Sequence, residues 1–209
     1  RQRQMCIRDR VNITHFDGLS LEENVKNNFK QADMEAALAH ILQTRYNAIT
    51  LAKRFGCDPE QAASAALLHD LGRLVPAHEY LDLAETFNLE ILPEEKQFPD
   101  LLHQKLSRVI AVETFNITDK EVLNAVACHT TLRPNAARLD KILFLADKLA
   151  AVPGKQPAFM PLVIKQLEKS LDDAVYCYLF NYLQNGKMPI VHPWLRTALE
   201  ELTPRRLAG

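Results

Sequence analysis

Six side chains of the kind that coordinate metal ions, His40, His69, Asp70, His103, His129 and Asp147, each fall inside or at the end of a segment that otherwise reads as buried helix. An imidazole or carboxylate left unpaired in an apolar interior is strongly unfavourable, so a fold that accepts all six must give each a partner. A shared metal ion is one partner that would serve them together. The pattern therefore restricts the chain to arrangements in which several distant helices converge.

The rest of the sequence agrees. Strand-like alternation is nearly absent, and apolar residues recur three and four positions apart, which predicts an all-α fold, a helical bundle. With 209 residues, 47% of them hydrophobic and only six glycines, the chain suits one globular domain, read here as residues 11–209. Residues 1–10 (RQRQMCIRDR) hold four arginines, one aspartate and no helical face; they read as translated vector or adapter sequence, non-native or disordered, and are left out of the fold. The formal net charge is −1 with both signs interspersed, so no field of one sign points to nucleic acid or a membrane surface. Any nucleotide would have to be held locally. Cys6, Cys57, Cys128 and Cys177 form no C-x-x-C pair, and no apolar run approaches the roughly 18 residues that cross a bilayer. The expectation is a cytoplasmic protein with reduced thiols.

A first long helix is expected from near Asp33 to Phe55, with Met34, Leu38, Ile41, Ile49, Ala52 and Phe55 near one face and Gly56 as its stop. Asp58, Pro59 and Gln61 then supply an N-cap, a proline at the first position and a third-position partner for a second helix that stops at Gly72. Its alanines allow close approach, which places His69 and Asp70 in the interior near a helix end. A short helix around His78 to Asn88 and a loop follow. Pro99 opens a helix whose face carries His103, Leu106 and Ile110. Thr118 to Glu121 reads as a capping box, and Val122 and Val126 put His129 on their apolar face. Leu139 to Ala151 is expected as a core helix with Asp147 in its apolar register. Leu162 to Tyr182 reads as another helix and Trp194 to Leu202 as the last.

Taken singly, each of these residues has an ordinary explanation. A histidine serves as readily in a hydrogen-bonded core or surface role, and Asp147 could simply pair with Lys148 or Arg138. The dipeptide His69-Asp70 alone is weak, since random composition would yield roughly 0.4 such pairs in a chain like this. Adjacent helical residues point about 100° apart, so both reach one ion only from a helix end or a pocket between helices. Further ligands must arrive from elsewhere, and His40 lies 29 residues upstream and Asp147 lies 77 downstream of the pair. His15, His78 and His192 fall outside this pattern and read as structural or surface residues.

That H…HD…D order resembles the HD superfamily of metal-dependent phosphohydrolases. The blocks Ala66-Leu67-Leu68-His69-Asp70, Leu101-Leu102-His103, Cys128-His129-Thr130-Thr131-x-Arg133-Pro134 and Asp140 to Lys148 are similar, in order and spacing, to the YqeK family within it. The tail from Tyr182 to Gly186 and then Ile190-Val191-His192-Pro193 is similar too, so the resemblance covers about residues 35 to 200. Two positions depart from the family pattern: Gly72-Arg73 stands where a small residue and lysine are usual, and Leu132 where a glycine is usual. Arg73 keeps the charge but holds phosphate with a planar fork.

The resemblance implies an HD-domain helical bundle around a dinuclear site. It implies two divalent metal ions, iron first and manganese or zinc as alternatives, with His40, His69, Asp147 and Asp70 on one and Asp70, His103 and His129 on the other. It implies hydrolysis of a dinucleoside polyphosphate, diadenosine tetraphosphate to two ADP, by a metal-bridged hydroxide, with Asp70 and Arg73 catalytic. Arg73, Thr130, Arg133 and Lys148 are the residues that would hold phosphate, and a homodimer is compatible with it. Two other readings stay open: a different HD nucleotide phosphohydrolase or phosphodiesterase, and a non-catalytic HD-like signalling module.

Overall fold

The computed structural model describes residues 13–150, 156–185 and 190–203. The expectation for residues 1–10, and the end of the core helix expected to reach Ala151, therefore lie outside the described residues. Among those residues the fold is all-helical, without strands. Its helices are α1 (Leu21–Gln31), α2 (Glu35–Phe55), α3 (Pro59–Leu68), α4 (Tyr80–Thr86), α5 (Pro93–Gln97), α6 (His103–Glu113), α7 (Lys120–Val126), α8 (Arg138–Leu149), α9 (Met160–Leu167), α10 (Leu171–Gln184) and α11 (Pro193–Leu202). Short 3-10 turns occupy Leu71–Leu74, Ala77–Glu79 and Pro99–Leu102.

Helix α3 sits in the middle because its side chains are small. Ala62, Ala63, Ala65 and Ala66 are buried along with Leu67 and Leu68, so α2, α7 and α8 all pack against it. Asp58 caps its start by accepting from the Glu60 backbone N–H at 2.8 Å, with Pro59 at the first position. Gln61 does not return to that cap; its amide donates to Asp119 Oδ2 at 2.8 Å and ties α3 to the start of α7. Helix α2 ends at Gly56, which takes a left-handed conformation with φ 65°. Its buried face is Leu38, Ile41, Thr44, Ala48, Leu51 and Ala52, rotated from the expected one, so Ile49 and Phe55 are only partly covered.

Three further differences from the sequence reading have local causes. Helix α1 was not expected, because its buried face holds only two apolar residues, Val25 and Phe29, beside Asn24 and Asn28. Those asparagines bind the preceding segment: Asn28 exchanges two 2.8 Å bonds with Thr14, and Asn24 Oδ1 accepts from Phe16 N. Helix α7 starts one residue later than expected, because Asp119 rather than Thr118 caps it, accepting from Glu121 N and Val122 N. The expected Leu162–Tyr182 helix is two, because Ser170 turns extended and caps α10 by accepting from Asp173 N at 2.9 Å.

His192, expected as structural or surface, is fully buried and caps α11. Its Nδ1 accepts from Trp194 N at 3.2 Å, which puts the ring proton on Nε2, facing Glu95 Oε1 at 3.4 Å. Glu95 Oε2 in turn accepts from Lys105 Nζ at 2.7 Å. This buried chain joins α11 and α5 to α6 and braces the helix that begins with His103.

Candidate metal centre

Three of the six residues are held by the same local device. His69 lies at the C-cap of α3, His103 at the start of α6 and His129 three residues beyond α7, each following a helical or 3-10 turn. Each ring donates from Nδ1 to the carbonyl three residues back: His69 to Ala66 at 2.7 Å, His103 to Asp100 at 2.5 Å, His129 to Val126 at 2.9 Å. A neutral imidazole with its proton on Nδ1 presents a lone pair at Nε2. All three lone pairs point into one buried space, and His69 Nε2, on a residue with no exposed surface, has no hydrogen-bond partner.

His40 from α2 and Asp147 from α8 close one side of that space, with His40 Nε2 donating to Asp147 Oδ1 at 2.9 Å. His69 Nε2 lies 3.8 Å from the same oxygen and 3.5 Å from Asp70 Oδ2. The other oxygen of Asp70 lies 3.4 Å from His103 Nε2 and 3.6 Å from His129 Nε2. Those two nitrogens are 3.1 Å apart. Two lone pairs facing each other at that distance repel unless a proton or cation lies close by. The ligand atoms of His40, His69 and Asp147, and those of His69, Asp70 and His129, lie within 4.8 Å of one another in each group.

Charge follows from burial. Desolvation pushes His69 down to about 4 and, helped by the neighbouring His129, His103 down to about 3. Burial would raise the carboxyls of Asp70 and Asp147, but His69 beside the first, and Lys148 with the His40 bond beside the second, hold both well below the usual carboxylate range. His40 also feels burial, which would lower it; the hydrogen bond and charge of Asp147 outweigh that and raise it. At neutral pH His69 and His103 are therefore uncharged imidazoles beside ionised Asp70 and Asp147, a donor set a divalent cation takes. The orphaned Nε2 and the converging lone pairs show that these residues fit such an ion.

Of the four expected phosphate contacts, three lie at this cluster. Arg73 donates from Nη1 to Asp100 Oδ1 at 2.7 Å and keeps Nε 3.6 Å from Asp70 Oδ1. The Thr130 hydroxyl lies 3.2 Å from His103 Nε2. Lys148 pairs with Asp147 Oδ2 at 2.5 Å and donates to the His129 carbonyl at 3.4 Å, so it turns inward rather than to solvent. Arg133 instead donates from Nε to the buried Asp140 Oδ2 at 2.7 Å. Sequence reasoning missed Asp100, whose carbonyl orients His103 while its carboxylate holds Arg73, and Gln104, which bonds the turn after His129. Neither carries a signal in a single sequence, since acids and amides are common near helix starts. A cavity of 590 Å³ lined by Phe55, Arg138, Lys141 and Tyr176 among others contains none of the six.

Histidines and aspartates converging from separate helices of an all-α bundle define an HD-type metal-dependent hydrolase, and the chain belongs to the HD domain family, whose model matches residues 37–152. A protein of Lactococcus lactis subsp. cremoris described as an uncharacterized protein in the pepC 5′ region is 41% identical over 142 residues, 68% of this chain and 72% of that one. The symmetrical bis(5′-nucleosyl)-tetraphosphatase of Halalkalibacterium halodurans is 31% identical over 163 residues, 76% of this chain and 84% of that one. A crystal structure from Clostridium acetobutylicum, described as a predicted HD superfamily hydrolase involved in NAD metabolism, superposes with a TM-score of 0.81 at 26% identity, covering 90% of this chain and all of that one. Within the family the chain is a YqeK-type hydrolase, the branch its motifs resemble. No helix among the described residues is long and apolar enough to cross a membrane.

Proposed function

We propose that this protein hydrolyses diadenosine tetraphosphate at its central phosphoanhydride to two ADP, using two divalent ions, iron by preference. The observation that carries the two-ion reading is the split of Asp70: Oδ2 faces His69, and Oδ1 faces His103 and His129. His40, His69 and Asp147 with Asp70 would hold one ion, and Asp70, His103 and His129 the other. When bound, the ions activate water and offset charge on the phosphoryl oxygens. The substrate assignment rests on the activity for which the Halalkalibacterium relative is named and on the shared blocks.

The chain's own residues supply the rest. The Arg73 fork, oriented by Asp100, suits phosphoryl oxygens beside Asp70. The Thr130 hydroxyl, beside His103 Nε2, would donate to a phosphoryl oxygen. Lys148 neutralises Asp147 and adds positive charge at the rim. Arg133 reaches phosphate only by sharing its guanidinium with Asp140. Incubating the iron-loaded protein with the dinucleotide and separating the products tests the reading: two ADP are expected, and AMP plus ATP or no turnover would overturn it. Because the Clostridium neighbour is described as involved in NAD metabolism, NAD is tested beside the tetraphosphate.

A further inference from the structure

His129 is not on a helix, so something other than α7 must fix its distance from His103. Its turn is closed internally by Leu132 N donating to Cys128 O at 2.7 Å, which shapes the turn but does not attach it to α6. The attachment is Gln104. This side chain has no exposed surface and spends its amide on the two residues after His129. Its Oε1 accepts from Thr130 N at 3.1 Å and from the Thr131 hydroxyl at 3.3 Å, while its Nε2 donates to Thr131 Oγ1 at 3.0 Å. The Thr130 N–H can only donate, which fixes the orientation of the amide. Thr131 is fully buried as well, so these bonds are shielded from water.

We infer that Gln104 is a positioning residue that sets the His103–His129 spacing and, through it, occupancy by the second ion; this rests on the two-ion reading above. Gln104 follows His103 directly on α6, so the ligand and the clamp belong to one rigid element. The 3.1 Å separation of the two imidazole nitrogens is then fixed by one side chain that need touch neither ion nor substrate. Without the clamp, the partly buried Thr130 N–H and the buried Thr131 hydroxyl lose their partners, and the turn moves toward whatever replaces them. No hydrogen bond among the described residues joins Gln104 to His40, His69 or Asp147, so those three lose no partner with it. Residues that orient metal ligands typically change affinity by about 10- to 100-fold when replaced.

Gln104→Met keeps the length of the side chain and removes both polar atoms, while Thr131→Val removes only the hydroxyl. Both variants and the wild type are titrated with manganese and followed by calorimetry and by the exchange-coupled electron paramagnetic resonance of a paired manganese centre. The metal-free proteins are melted in parallel. Wild type is expected to bind two ions with a coupled signal. Gln104→Met is expected to bind one ion normally and the second at least about 10-fold more weakly, with uncoupled manganese, and Thr131→Val to fall between. If Gln104→Met does not fold, Thr131→Val carries the test. Variants that keep both ions and the coupled signal, or lose both ions equally, overturn the inference while leaving the proposed function in place. A wild type that binds fewer than two ions overturns the two-ion reading first, and the inference with it.

Discussion

A methyl group added at Gly72 would strike the backbone that carries His103. A Cβ built there lies 2.2 Å from the His103 carbonyl oxygen, 2.9 Å from its carbonyl carbon and 3.0 Å from its Cα, where ordinary contact starts at 3.4 Å. Gly72 does not have the left-handed φ of Gly18 and Gly56, so the backbone itself would accept alanine. The obstacle is the approach of two main chains, and the 3-10 turn and α6 must separate by about 1 Å to relieve it. They cannot part freely, because Gly72 N donates to the buried Ser107 hydroxyl of α6 at 2.8 Å. Overpacking of this kind costs about 1–3 kcal/mol of stability. A shift of about 1 Å in a group at the reacting centre can cost on the order of 100-fold in rate, and here the group moved is the His103 imidazole. Gly72→Ala is therefore expected to lower the melting temperature, weaken one of two manganese ions and reduce kcat by about two orders of magnitude. Ser107→Ala, which removes the bond but leaves the space, should cost about 1 kcal/mol and keep both ions. A Gly72→Ala protein with native melting, metal content and turnover would refute the steric argument.

Leu132 takes φ 51° although it is fully buried and not glycine. Leu132→Gly should recover about 1–2 kcal/mol of backbone strain and lose about 3–5 kcal/mol of packing, so urea denaturation should show net destabilisation of about 1–4 kcal/mol. Asp100→Asn keeps the carbonyl that orients His103 and removes the charge that holds Arg73; KM should rise several-fold with metal content unchanged, and loss of metal would refute the separation. Acid should destabilise the metal-free protein. His69 binds protons more readily unfolded, at about 6.5, than folded, at about 4, so its contribution is lost as pH falls across that interval. His103 acts in the same direction, and Asp70 and Asp147 extend the loss below the usual carboxylate range. His40, raised in the fold, opposes it. Chemical denaturation of chelated protein at successive pH values checks the sign, and flat stability between pH 6.5 and 4 would contradict it.

The six convergent residues were legible because isolated histidines and aspartates stand out against apolar helical spacing, and the structure brings all six into one space. Capping chemistry located the start of α3 to the residue, through Asp58 and Pro59. Helix α1 was hidden because asparagines, not apolar residues, form half its buried face. The break at Ser170 was hidden because apolar spacing continues across it. Gln104 and Asp100 were illegible for a different reason: their roles depend on which distant turn or ring lies opposite, and no local pattern encodes that. The arginine of the His129 block shows the converse limit, since its position matches while its side chain is engaged by Asp140.

The recurrent bond from each imidazole Nδ1 to the carbonyl three positions earlier has a thermodynamic corollary. Each ring is oriented by its own stretch of main chain, so the cost of ordering these rings is met when the polypeptide folds and not when a cation arrives. The empty and loaded proteins then share one architecture, and exchanging one transition metal for another requires no refolding. A site ordered in advance would favour the element that suits its fixed spacing and its imidazole and carboxylate donors, within what the cell supplies.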